Sequence, residues 1–140
     1  MADWITPKTD WASSDAFNIE DYNRIRNNLT CLHELAETIT LPFSIEDMGE
    51  DYEEETDEDK MWDVSIFNAI EDNLDTINEH TFNFDFGLKT TFYANGVFIR
   101  YTELNRIESA SLQMYEAIVN HVKTIPVLPF VLGQYRLLRA

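Results

Sequence analysis

A short phrase that occurs three times along the chain constrains its fold more than any other feature. In each copy a large apolar residue is followed by Asn, and Ile stands two positions after that Asn. Counting the large residue as zero, apolar residues recur at plus three, plus seven and plus ten, the spacing of one helix face. Such repetition predicts three versions of one amphipathic helix. The copies are Tyr22, Asn23, Ile25, Leu29, Leu32; Phe67, Asn68, Ile70, Leu74, Ile77; and Leu104, Asn105, Ile107, Ser111, Met114, where Ser111 is the polar exception at plus seven.

Capping signals predict where the first helix begins. It is expected from about Ile19 to Thr38, with Asn18 as the N-cap and Asp21 as its capping-box partner. Pro42 prevents the helix from continuing.

The other two helices are bounded by similar signals. The second is expected over about 65–79, with Ser65 or Asp63 as its cap. The third is expected from the capping residue Thr102 to about Val122. Asn is a poor residue for a helix interior. Its recurrence at one register therefore predicts a structural tie between each helix start and an extended lead-in.

A β-hairpin is expected between the second and third helices. Asn95-Gly96 joins two apolar arms within 89–101, and this dipeptide favours a type I′ turn. The alternation of Phe82, Phe84 and Phe86 with polar residues just before it is also typical of a strand.

Residues 44–60 contain ten of the chain's 26 acidic residues. Removing those ten from a net charge of −16 leaves −6, so most of the acidity is local. Like charges repel, so this run is expected to be a solvated loop. It lacks the ligand spacing of a calcium-binding loop.

The length of 140 residues suits a single domain. Its predicted class is mainly α (α+β): three amphipathic helices in a small bundle, with a β-hairpin and extended terminal arms. The arms are 1–17 and 124–140, and the prolines of the second exclude a helix there. Candidate partner contacts on the two arms are Trp4, Trp11, Phe130, Leu132, Tyr135 and Arg136.

Composition argues against several classes of function. A net charge of −16 disfavours binding to nucleic acid and to anionic membranes and favours partners with basic surfaces. No run of about 18 apolar residues and no signal peptide is visible, so synthesis in a cytosol without membrane insertion is expected.

Catalytic and ligand-binding motifs are also lacking. Cys31, the single cysteine, is expected to be a small buried residue. The histidines His33, His80 and His121 do not form a ligand pair, and the four glycines do not form a phosphate loop. The chain is therefore expected to be no enzyme and to bind no metal or cofactor.

Two segments resemble small virion proteins encoded in the tail-gene regions of phages and prophages of Gram-positive bacteria. Each has an aromatic residue, a short step, and then a Leu/Tyr-Asn-Arg-Ile helix start. The first has Trp11 and Phe17 ahead of Tyr22-Asn23-Arg24-Ile25, and the second has Phe98 ahead of Leu104-Asn105-Arg106-Ile107. Leu-Pro-Phe-x-Leu-Gly at 128–133 is similar to their C-termini. The middle copy departs from the pattern, because Ala69 stands where the others have Arg.

The resemblance implies a tail or baseplate component, or an adaptor, that assembles with other virion proteins and forms a homo-oligomer within the particle. Its expected locations are the host cytoplasm during assembly and then the virion tail. The alternative is an acidic anti-host-defence protein that mimics nucleic acid and binds a basic host protein. Concentration of the acids in one run argues against that alternative, because mimicry needs them spread over a rigid face.

Overall fold

The computed structural model describes residues 3–48, 64–87, 91–92 and 99–124. Three α-helices occur in these ranges: α1 (Ile19–Ala36), α2 (Val64–His80) and α3 (Tyr101–Thr124). Each helix packs against the other two. The prediction of a mainly helical bundle is therefore confirmed.

The helix starts follow the sequence signals in one case and depart from them in another. Asn18 caps α1, and the reciprocal bonds between Asn18 and Asp21 form the predicted capping box. The prediction that Thr102 caps α3 is wrong, since α3 begins at Tyr101. Arg100 caps it instead, because its carbonyl accepts from the first-turn amides and the Glu103 carboxylate accepts from its N–H at 2.7 Å. Ser65 lies inside α2, and Asp63 lies outside the described residues.

The three repeated stripes form the core. Every residue at positions zero, plus three, plus seven and plus ten is at most 3% exposed, including Ser111, whose hydroxyl donates to the Ile107 carbonyl at 2.9 Å. Each buried Leu, Ile, Phe or Met side chain contributes about 1.5–3 kcal/mol. Mutual burial of the stripes therefore holds the helices together.

All three helices start at the same end of the bundle. The Tyr22 and Phe67 rings are 5.5 Å apart, and Arg24 in the second turn of α1 bonds to Glu108 in the second turn of α3. Helices that start together and pack along their buried faces run in the same direction. The chain must therefore return from the end of one helix to the start of the next, which the extended segments do.

The expected β-hairpin is not supported. No β-strand occurs in the described ranges, Tyr101 belongs to α3, and Asn95-Gly96 lies outside those ranges. Phe82, Phe84 and Phe86 pack against the core, but Phe82 lies in a turn and Asn83 has φ 53°, so the run is not a strand.

Parts of two other segments are more tightly packed than expected. Residues 3–17 are extended, but Pro7 and Trp11 are buried against the helices. The first five residues of the acidic run, 44–48, also lie on the bundle, where Met48 is 6% exposed. In 44–48 the acidic side chains of Glu46 and Asp47 are exposed, whereas the apolar Ile45 and Met48 pack on the core. The rest of that run, and the arm from 125 onward, lie outside the described residues.

Candidate functional site

The Asn of the repeated phrase binds the backbone of an extended segment. The Asn105 side chain accepts from the Trp11 N–H at 2.7 Å and donates to the Trp11 carbonyl at 2.9 Å. Asn68 does the same to Phe92, at 2.7 Å and 3.0 Å. We call this two-bond contact an Asn clamp. It satisfies a backbone donor and acceptor as a neighbouring β-strand would. The predicted tie is present here, but it joins each helix start to the lead-in of a different helix.

Three further Asn clamps were not predicted from the sequence. Asn28 clamps Ile5 at 2.9 and 2.7 Å, and Asn73 clamps Glu46 at 2.7 and 2.8 Å. The third is formed by Asn78 with Phe84, at 2.9 and 2.7 Å. The signal that could have revealed them is spacing, because Asn recurs at plus one, plus six and plus eleven in the second copy.

A spacing of five residues alternates between the two sides of a helix. Each residue turns an α-helix by roughly 100°, so five residues turn it by about 500°, or about 140° net. The plus-one and plus-eleven positions therefore face one neighbouring groove, and plus six faces the other.

The clamped segments form a cyclic pattern around the bundle. We call residues 4–11 strap 1, residues 43–48 strap 2, and residues 84–87 with 91–92 strap 3. We call the helix that follows a strap along the chain its own helix. Each strap is held by its own helix, by the helix before it in the chain, or by both. For strap 1 the place of the helix before it is taken by α3. Strap 1 contacts α1 through Asn28 and α3 through Asn105. Strap 2 contacts α1 and α2, whereas the clamps on strap 3 come from α2.

The plus-eleven position anchors each strap near its beginning. Tyr115 of α3 stacks on Trp4 of strap 1, with ring centroids 4.0 Å apart and planes within 4°. His33 of α1 bonds to the Phe43 carbonyl of strap 2 at 2.7 Å. Asn78 clamps strap 3 at this position. The side chains differ, but the register of the contact is the same in all three grooves.

Glu108 connects two helices and strap 1. Its carboxylate accepts from Nε and Nη2 of Arg24, both at 2.8 Å, and from the Trp11 indole N–H at 2.5 Å. It also accepts from the Lys8 backbone N–H at 3.2 Å. Glu108 is 1% exposed, so its charge depends on these donors for compensation.

Arg24 stays charged at this site. Burial is the largest single effect on its guanidinium and opposes the charge, but hydrogen bonds to Glu108 and Asp21 outweigh it and raise the pKa of Arg24. The bond to Asp21 is 2.8 Å long.

The same helix-to-helix pairing occurs a second time. Arg106 of α3 bonds to the buried Glu71 of α2. Arg24 and Arg106 are both at plus two, while Glu108 and Glu71 are both at plus four. In the third equivalent pair, the plus-two position of α2, residue 69, would bond to the plus-four position of α1, residue 26.

Both members of that third pair are changed. Ala69 stands in place of Arg, and Arg26 stands in place of Glu. Arg26 is 4% exposed and instead donates to the Met48 carbonyl of strap 2 at 2.8 Å. Its guanidinium also lies 5.4 Å from the Tyr22 ring centroid. Copy two therefore lacks the contact that the other copies make, and Arg26 holds a strap instead of a helix.

The candidate partner contacts on the N-terminal arm belong to the bundle. Trp11 is 4% exposed and Trp4 is stacked on Tyr115, so both rings pack against their own chain. Trp11, predicted as a candidate partner contact, instead donates its indole N–H to Glu108 inside the fold. Asn23 accepts from the Arg26 guanidinium at 3.3 Å. Phe130, Leu132, Tyr135 and Arg136 lie outside the described residues.

Shallow clefts open on the described surface. One of about 270 Å³ lies between strap 1 and the start of α3, beside Phe17 and Tyr101. Another, of about 160 Å³, lies beside Arg106 and Gly87.

Burial raises the pKa of the Cys31 thiol. Over the ranges described, no group of three or more His, Cys, Asp and Glu could hold a metal ion, and no helix has the length and apolarity to cross a bilayer.

Three comparisons with known proteins found no relative of this chain. A scan against protein-family models, a search of the curated proteins and a search of the solved structures each gave no match.

Proposed function

We propose that this chain is a structural protein of a phage virion, a tail or baseplate component or an adaptor that assembles with other virion proteins. One observation carries the proposal. The Asn and Arg residues that resemble the virion group, Asn105, Arg24 and Arg106, are the residues that clamp a strap or join two helices. The phrase that resembles that group therefore builds a scaffold.

The distribution of polar contacts supports this proposal. The buried Asn28, Asn73, Asn78, Glu71 and Glu108 bind backbone or other helices of the same chain. A scaffold tied together in this way presents a fixed surface to neighbours, which is what an assembly part requires. The charge of −16 favours a neighbour with a basic surface. Homo-oligomerisation in the particle stays a prediction.

Mass spectrometry of purified particles tests the proposal. Particles are banded by density, treated with protease to remove adsorbed proteins, and compared with lysate from cells in which the gene is deleted. The expected result is peptides of this chain in stoichiometric ratio to a tail protein. Intact particles that lack the chain would refute a virion role.

The acidic alternative makes a different prediction. A nucleic-acid mimic would inhibit a basic host nuclease at near-equimolar ratio and would protect DNA in a cleavage assay. The virion proposal expects no such protection beyond what a charge-matched acidic peptide gives.

A further inference from the structure

The described part of the chain has an approximate threefold axis within one polypeptide. Each strap is contacted from the plus-eleven position of the preceding helix. Among the described residues the plus-one clamp, the plus-six clamp and the Arg–Glu pair each occur at two of the three equivalent positions. We infer that a single copy binds on the threefold axis of a homotrimeric partner, with the end where the helices start facing that trimer. This inference rests on the proposed virion function and adds the symmetry and copy number of the contact.

The helix-start end is the symmetric end in the described ranges. Glu20, Ser65 and Thr102, each two residues before position zero, are all exposed there. The opposite end is uneven, because α1 ends at plus fourteen, α2 at plus thirteen and α3 at plus twenty. At 1.5 Å per residue, α3 extends roughly 9 Å beyond α1. Within the part of the chain that the structure describes, a threefold partner would therefore meet three comparable helix starts only at this end.

Matched symmetry has a direct energetic consequence. A homotrimer presents three identical patches around its axis, and a chain with one patch can engage only one of them. A chain with three similar patches can engage all of them at once, and each contact after the first forms at high effective concentration. The first turns of α1 and α3 carry the acidic residues Glu20, Asp21 and Glu103 at this end, which favours basic residues on the facing surface of the trimer.

The first test is a particle reconstruction calculated without imposed symmetry. The expected result is one copy for each trimeric component, on its axis, with Glu20 and Thr102 toward the trimer. Three or six copies placed off the axis would overturn the inference while leaving the virion role intact. Absence of the chain from particles would instead refute the proposed function. Homo-oligomerisation and single-copy binding thus give different copy numbers in the same map.

The second test uses matched surface variants. Glu20→Arg with Thr102→Arg adds three positive charges at the helix-start end, and Gln113→Arg with Glu116→Arg adds the same charge farther along α3. All four positions are exposed. We expect the first pair to lower incorporation into particles by at least about tenfold, a loss of one order of magnitude in binding. The control pair should stay near wild type, and both proteins should keep their thermal transition.

Equal incorporation of the two double variants would overturn the inference. If the first pair unfolds, Thr102→Arg alone is compared with Gln113→Arg alone. Size measurement of the isolated wild-type chain gives an independent check, because the inference expects a monomer. A stable homotrimer in solution would contradict it.

Discussion

Glu108→Ala is expected to be the most damaging single substitution of a charged residue in the described bundle. The change removes the acceptor for Arg24, for the Trp11 indole and for the Lys8 amide at once. Breaking a buried ion pair by deleting one partner costs about 3–5 kcal/mol, because the remaining charge stays buried. Arg24 keeps its bond to Asp21 and is 13% exposed at its side chain, which limits the loss. We therefore expect a decrease of about 3–4 kcal/mol in the free energy of unfolding.

A change of this size is easily measured. Domains of this class have total stabilities of about 5–15 kcal/mol. With an unfolding entropy of about 2.1 cal/mol/K per residue, the expected decrease corresponds to a drop of roughly 10–14 °C in Tm. Urea unfolding followed by tryptophan fluorescence gives the free energy directly, and circular dichroism gives Tm.

An exposed glutamate of the same helix supplies the matched control. Glu116 lies farther along α3 on its solvent-facing side, so Glu116→Ala should change stability by less than about 0.5 kcal/mol. A double-mutant cycle of Glu108→Ala with Arg24→Ala should return a coupling energy of about 0.5–3 kcal/mol. The reasoning would be refuted by a Glu108→Ala protein as stable as the Glu116→Ala protein, or by no coupling to Arg24.

Three smaller predictions concern the straps and the core. Asn73→Ala removes both bonds to Glu46 and should cost about 2–3 kcal/mol in urea unfolding; a loss no larger than that of exposed Asn120→Ala would contradict the Asn clamp. Gly87 has φ 84°, and among the described residues an added Cβ would meet Arg106 at an ordinary 3.8 Å, so Gly87→Ala should cost about 1–2 kcal/mol through backbone strain; unchanged stability would show that the backbone relaxes. Cys31 is buried with a raised thiol pKa, so at pH 8 it should react with a disulfide reagent at least about tenfold more slowly than in denaturant. Because burial favours the neutral thiol, its contribution to stability is complete below about pH 8.5, the pKa of the thiol in the unfolded chain. That contribution is lost as the pH rises through the higher pKa of the thiol in the folded chain. Rapid labelling of the native protein would contradict the burial of Cys31.

The helices were predictable because their signals are local. The apolar spacing from Tyr22, Phe67 and Leu104 depends only on helix geometry, and these residues are buried as that spacing requires. The Asn18 capping box is formed by residues three positions apart. The prediction that Thr102 caps α3 was wrong because a competing local signal is present. The Glu103 carboxylate accepts from the Arg100 N–H, which makes Arg100 the capping residue.

The grooves were not predictable from one sequence, because their contacts join distant parts of the chain. Asn105 and Trp11 are 94 residues apart, and Arg24 and Glu108 are 84 apart. Spacing alone cannot assign a strap to a groove, because that depends on the order in which three parallel helices pack. Trp11 shows the consequence. By itself it resembles an exposed aromatic residue on an arm, and its burial becomes apparent only when α3 closes the ring.

The sequence by itself therefore determined the three helices and their buried faces, since helical periodicity acts within a few residues. Only the tertiary structure decided what the repeated Asn and Arg residues do. Helices that run in the same direction require straps to return along the grooves, and the backbone of those straps must be hydrogen-bonded where it is buried. The Asn clamps meet that requirement, and the Glu108 and Glu71 pairs join α1 to α3 and α3 to α2.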